Sequence, residues 1–149
     1  MKIHLKQIPA GGLHLEGEED CPIREVEAEE IRCNGPLRYN LELGLSDGAL
    51  WANGSLVQPL RLRCVACLED FEYEVQVPMF AAHVELSGPE TVDLTPYLRE
   101  DILLNLPAHP HCDREGGRVC KGALIKAATS EAKREADWSA LDKLKIEKR

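Results

Sequence analysis

The sequence predicts an α+β domain: an antiparallel meander of about five strands, flat or barrel-like, covered by one main helix and followed by a short C-terminal helix. Three observations predict it. Three segments between residues 37 and 77 alternate apolar with polar residues at period two. One stretch, 94–106, carries apolar residues at spacings of four. The closing stretch "DWSALDKLKI" repeats apolar residues at spacings of three.

Taken in order, "MKIHLKQI" alternates Ile3 and Leu5 against His4 and Lys6 and reads as a strand, which "PAGG" ends. Residues 16–30 hold eight acids and read as an exposed connector with at most one short helix or strand. In "LRYNLELGL" the residues Leu37, Tyr39, Leu41, Leu43 and Leu45 share a face, and "SDG" supplies turn chemistry. "ALWANGSLVQPLRLRC" reads as a long strand in which Gly54 suggests a bulge and Pro59 an edge position. "FEYEVQV" puts Phe71, Tyr73, Val75 and Val77 on one face and Glu72, Glu74 and Gln76 on the other.

The helix stripe is Leu94, Leu98, Ile102 and Leu106. Asp93 or Thr95 can cap its start, Pro96 falls in the first turn, and Pro107 stops it. Residues 1–122 form the single domain. Residues 123–149 are a linker and a docking helix, in which Asp137 caps and Trp138, Leu141 and Leu144 form the apolar edge, ending in a basic tail.

Charge narrows the function. Residues 1–113 hold 8 Lys and Arg against 20 Asp and Glu, a balance of −12, whereas residues 114–149 hold 10 against 6, or +4. An acidic body lacks the broad basic face that general nucleic-acid binding needs. Local contacts remain open through Arg61 and Arg63, which share an outward strand face, and through Lys143, Lys145, Lys148 and Arg149 in the tail. The plainer readings are a solvated sheet face and a fraying terminus. No apolar stretch approaches the roughly 18 residues that span a bilayer, and no apolar run follows the first lysines as in a signal peptide. A cytoplasmic protein with no membrane contact and no small-molecule substrate is expected. In that compartment six cysteines point to metal, redox chemistry or burial rather than disulfides.

The pair Cys64 and Cys67, in "RCVACLEDFEYEV", carries most of the functional information. A thioredoxin-like site places its C-x-x-C at a helix N-terminus. Here a period-two strand follows instead, and Glu69 and Asp70 would raise a nearby thiol pKa. Two thiolates on a turn between strands suit one edge of a tetrahedral zinc site. The loop "HPHCDREGGRVC" offers the rest: Cys112 and Cys120, with His109 and His111 as alternates, and Gly116 and Gly117 to let it fold back. The expected ligands are Cys64, Cys67, Cys112 and Cys120 around a structural zinc. The alternative is four reduced thiols packed as small hydrophobes. Cys21 and Cys33 have no C-x-x-C partner and read as structural thiols; His4, His14 and His83 stand alone.

The order "LRLRCVACLEDFEYEV", "VDLTPYLREDILLNLPAHPHC", "CKG", "DWSALDKLK" resembles the YceD-like family over roughly residues 36–146. The resemblance is most specific at Cys64, Cys67 and Phe71, and in the run from Asp93 and Leu94 through Glu100–Leu104 to Leu106 and Pro107. Many relatives carry further cysteines after C-K-G, where this chain has Ala123 and Leu124, so a metal site here must be completed from the loop itself. The resemblance implies a non-enzymatic role in accumulation of large-subunit ribosomal RNA. Its partners would be that RNA or assembly intermediates, met directly or through a ribosomal protein. It implies no catalytic residues, and no phosphate loop, nucleophile elbow or histidine beside a nucleophile suggests any. Two other classes stay open: a cysteine-dependent redox or zinc enzyme, and a protein-docking module with no RNA role.

Overall fold

The three alternating segments become the three longest strands. The computed structural model describes residues 1–24, 30–88, 90–114 and 118–122. Its elements in chain order are β1 (Lys2–His4), a 3-10 turn (Leu5–Gln7), β2 (Leu13–Glu19), β3 (Ile31–Cys33), β4 (Leu37–Ser46), β5 (Ala49–Arg63), β6 (Asp70–Glu85), β7 (Thr91–Asp93) and α1 (Thr95–Leu104). The expected linker, the Trp138 helix, the four basic tail residues Lys143, Lys145, Lys148 and Arg149, and the glycines Gly116 and Gly117 lie outside the described residues.

β4, β5 and β6 pair antiparallel in sequence order, which is the expected meander. β2 adds to the free edge of β4, and β3 pairs with the far end of β5, so the main sheet has five strands. Asp47 and Gly48 turn the β4–β5 hairpin with φ of 52° and 76°, the left-handed pair whose twist suits a two-residue connection. The bulge falls where Gly54 predicts it, between Gly54 and Leu56. A Cβ at Gly54 would lie 2.0 Å from the Asn40 carbonyl oxygen, so only glycine fits there.

Pro59 departs from the edge-strand reading, because β5 is the centre of the sheet. Its carbonyl accepts the Asn34 N–H at 3.1 Å. The N and O of one strand residue face the same neighbour, so the missing N–H falls on the seam between β3 and β4 and leaves no ladder bond unmade.

Three other expectations are corrected. "MKIHLKQI" is a strand only over Lys2–His4, and it pairs with β7 in a separate two-stranded sheet. The acidic connector begins as a full edge strand: β2 pairs with β4 along all seven of its residues, with Glu16 and Glu18 turned outward. Leu45 keeps the face of Leu41 and Leu43 but not their burial: it is 45% exposed, because β4 twists away from the core as it enters the hairpin.

Cys21 and Cys33, read as free structural thiols, form a disulfide. Each lies at the end of a stretch whose place the sheet dictates, Cys21 just past β2 and Cys33 in β3. Their Cα atoms come to 6.2 Å, within bridging range.

Helix α1 closes the core as expected. Leu94, Leu98 and Ile102 are fully buried in one cluster with the sheet residues Leu41, Leu60 and Phe80, each such side chain contributing about 2 kcal/mol of apolar burial. Of the two candidate caps the carboxylate serves: Asp93 accepts the Thr95 N–H at 2.9 Å and its hydroxyl at 2.6 Å. Those bonds, the hydroxyl's first, hold the Asp93 pKa below its usual value. Arg99 donates to the Pro22 carbonyl at 2.8 Å, tying the helix to the disulfide end. Among the described residues no helix is long and apolar enough to cross a membrane.

Candidate metal centre

The connection from β5 to β6 is residues 64–69, and its backbone is closed on itself. Cys64 N–H donates to the Glu69 carbonyl and Leu68 N–H to the Cys64 carbonyl, both at 2.9 Å. Leu68 takes φ of 60°, a left-handed conformation that costs a leucine about 1 kcal/mol. That reversal turns Cys64 and Cys67 to one side. The loop after α1 reaches the same corner, where Val65 N–H donates to the Pro110 carbonyl at 3.0 Å.

The sulfurs of Cys64, Cys67, Cys112 and Cys120 all lie within 4.8 Å of one another. The Cys64–Cys120 and Cys67–Cys112 sulfurs are each 3.7 Å apart. A tetrahedron of thiolates around zinc, with bonds of about 2.3 Å, has edges of about 3.8 Å. A disulfide would need about 2.05 Å. Cys64 is 0% exposed and Cys120 2%, with Cys112 buried and Cys67 half-buried beside them. These four cysteines could hold a metal ion. The alternates do not join: His109 is exposed and His111 half-buried, and neither belongs to the cluster.

A polar clasp holds the second loop on the first. Glu69 accepts from Lys121 Nζ at 2.6 Å on one oxygen and from the Arg118 guanidinium on the other. Arg118 also donates to the Asp70 carbonyl at 3.3 Å. Lys121, through its hydrogen bond and charge, holds the Glu69 carboxyl below its usual range, and Glu69 in turn raises the Lys121 pKa. Gly122 then lies directly on the knuckle: a Cβ there would be 2.4 Å from the Ala66 carbonyl oxygen.

The thiols divide by environment. Burial opposes the Cys64 thiolate, but the N–H groups of Cys112, Cys67 and Ala66 point at it and outweigh burial, holding its pKa at about 6. Burial and then the neighbouring sulfurs push Cys112 up to about 12. For Cys67 the Glu69 N–H favours the thiolate, yet burial and the Cys64 thiol prevail and raise its pKa. Glu69 therefore does not act as the sequence suggested. Its carboxylate is turned to Lys121 and Arg118, and its N–H serves a sulfur.

Sequence reasoning named the four cysteines that cluster and missed what holds them together. The clasp has a faint signal, since Lys121 and Gly122 flank Cys120 in the "CKG" motif. The other candidates sit close by on the sheet: Arg61 is exposed opposite Glu72, and half-buried Arg63 pairs with Asp70 at 3.4 Å. No family model, no curated protein and no solved structure matches the chain.

Proposed function

We propose that this chain is a non-enzymatic factor supporting accumulation of large-subunit ribosomal RNA, built around a structural zinc on Cys64, Cys67, Cys112 and Cys120. The observation that carries the zinc is the pair of sulfur–sulfur edges at 3.7 Å, which fit a thiolate tetrahedron. The support for the ribosomal role is the motif order from Cys64 through the "EDILLNLP" run to "CKG", which resembles the YceD-like family. Bound there, zinc would supply a cross-link between the knuckle and the loop. All four corners are protein thiolates, so no coordination position stays open for a substrate. The protein acts in the cytoplasm, where the RNA is assembled.

A dithiol redox enzyme is the second reading, favoured by the low Cys64 pKa. Against it, the Cys64 sulfur lies 3.7 Å from that of Cys120 across the loop, within a cluster of four, and Cys64 is sealed from solvent. Elemental analysis separates the two. About one zinc per chain, lost in Cys64→Ser, is expected for the structural site; a metal-free protein with rapidly alkylated thiols supports the enzyme. The ribosomal role is tested in cells lacking the gene, where sucrose gradients should show depleted large subunits and their RNA. Normal levels would refute it.

A further inference from the structure

Beside the metal centre lies an open cavity of about 570 Å³, whose floor includes Cys112 and the half-buried ring of Phe71. Arg61 reaches it from the sheet, Arg118 from the clasp loop and His111 from the loop after α1; Asp70 and Glu72 complete the wall. Three separate stretches of chain thus bring nitrogen donors to one hollow.

The charges there are more evenly balanced than in the rest of the molecule, two arginines against two carboxylates. Arg32 on β3 stands directly opposite Arg61 on β5, and both are exposed. Like charges opposite each other in a ladder destabilise it. Among the described residues neither arginine is in an ion pair. Across the clasp, Lys121 and Arg118 share the single carboxylate of Glu69. With Glu72 opposite Arg61 on the other side and Arg63 paired with Asp70, cations and carboxylates are interleaved at this corner of a body that balances to −12 over residues 1–113.

We infer that this cavity binds a nucleotide unit, its phosphate on Arg61 at the rim, with Arg32 across the ladder from that arginine and outside the lining, and its base over Phe71. A bare phosphate would gain from the arginines but meet Asp70 and Glu72 on the opposite wall. A nucleobase brings exocyclic N–H donors that those carboxylates can accept, and a π-face for the ring. The inference deepens the ribosomal reading and rests on it for the expectation that the nucleotide belongs to an RNA strand. The metal centre's part is positional, since it fixes the loop that carries His111 and Arg118.

The test uses the zinc-loaded full chain and a fluorescein-labelled single-stranded RNA of mixed sequence, followed by anisotropy. The parent should bind. Arg61→Ala and Arg32→Ala should each weaken binding about tenfold, and each should reduce the slope of log K against log salt by about 0.7. Both sites are exposed and removing either arginine relieves the like-charge pair, so zinc content should be unchanged and the thermal midpoint unchanged or slightly raised. Displacement of the RNA by a mononucleotide at micromolar concentration assigns the cavity to free nucleotides; failure of displacement assigns it to the strand. Equal binding by parent and both variants overturns the inference while leaving the ribosomal role intact. A parent that leaves the RNA free also overturns it and gives the arginines to an acidic protein surface. Binding that depends on Arg61, together with normal ribosomal RNA in cells lacking the gene, would instead remove the ribosomal role and keep the site.

Discussion

The two ends of helix α1 use cysteine in opposite ways. Near its N-terminal half, Cys21 and Cys33 meet as a pair and are covalently joined, beside the Pro22 carbonyl that Arg99 holds. Past its C-terminal end, four cysteines converge and stay 3.7 Å apart along two edges without bonding. Number and surroundings separate the cases. At the disulfide end Cys21, just past β2, and Cys33, in β3, bring one sulfur each, and the two are joined. At the other end a knuckle presents two sulfurs, a loop presents two more, and backbone N–H groups around Cys64 favour a thiolate over a bond. A residue type that is a covalent staple at one end is, at the other, a cluster able to hold an ion.

The comparison breaks most visibly if the metal is removed. Cys64→Ser, or a strong chelator, should cost on the order of 4 kcal/mol or more and lower Tm by about 12 °C, read by calorimetry beside zinc content. A chelated protein that melts like the parent would reduce the cage to packed thiols. At the other end, replacing Cys21 and Cys33 together by alanine should cost about 3 kcal/mol, as the loop between residues 12 apart is no longer closed in the unfolded chain. The zinc should stay. Loss of zinc in that variant would mean the ends are one cooperative unit.

Gly122→Ala sharpens the cage side. It removes no ligand, yet the new methyl would press on the Ala66 carbonyl. About 2 kcal/mol of stability and at least tenfold in zinc affinity should be lost, the latter measured by competition with a chromogenic chelator. Unchanged affinity would show that the loop can shift without moving Cys120.

The smallest effect belongs to the helix that joins the ends. Asp93→Ala should cost about 1 kcal/mol in urea unfolding. The Asp93 pKa is held down in the fold by the Thr95 hydroxyl and N–H. Its contribution is therefore complete above the unfolded-state value near 3.8 and lost as pH falls through the lower folded value. The parent's urea midpoint should drop in that acid window by more than that of the alanine variant. Parallel curves would remove Asp93 as the cap.

Much of this was legible in the chain itself, for identifiable reasons. The meander was readable because each long strand buries one face, so Leu37, Leu41, Val75 and Val77 repeat at period two. The helix was readable from Leu94, Leu98 and Ile102. β2 was not, since its solvated face carries His14, Glu16 and Glu18 and so resembles an acidic connector. β3 is too short, at three residues, to show any period. The disulfide was invisible because its two cysteines are placed by strands that the sequence had not revealed. The four clustered cysteines were visible, Cys64 and Cys67 through their C-x-x-C spacing and Cys112 and Cys120 through the loop after the helix; the clasp was not, as nothing in "CLED" says which way Glu69 will turn.

Local chemistry, then, decided the periods, the Asp47–Gly48 turn, the bulge at Gly54 and the close pairing of Cys64 with Cys67 on one short connection. Those features depend on neighbours within a few residues, so they can be read without coordinates. Only the tertiary structure decided which cysteines bond and which gather, that Glu69 faces Lys121 and Arg118, and that Arg32 stands against Arg61 beside a cavity. Each of these joins residues far apart in the chain, and which of them meet is settled by how the sheet and helix pack.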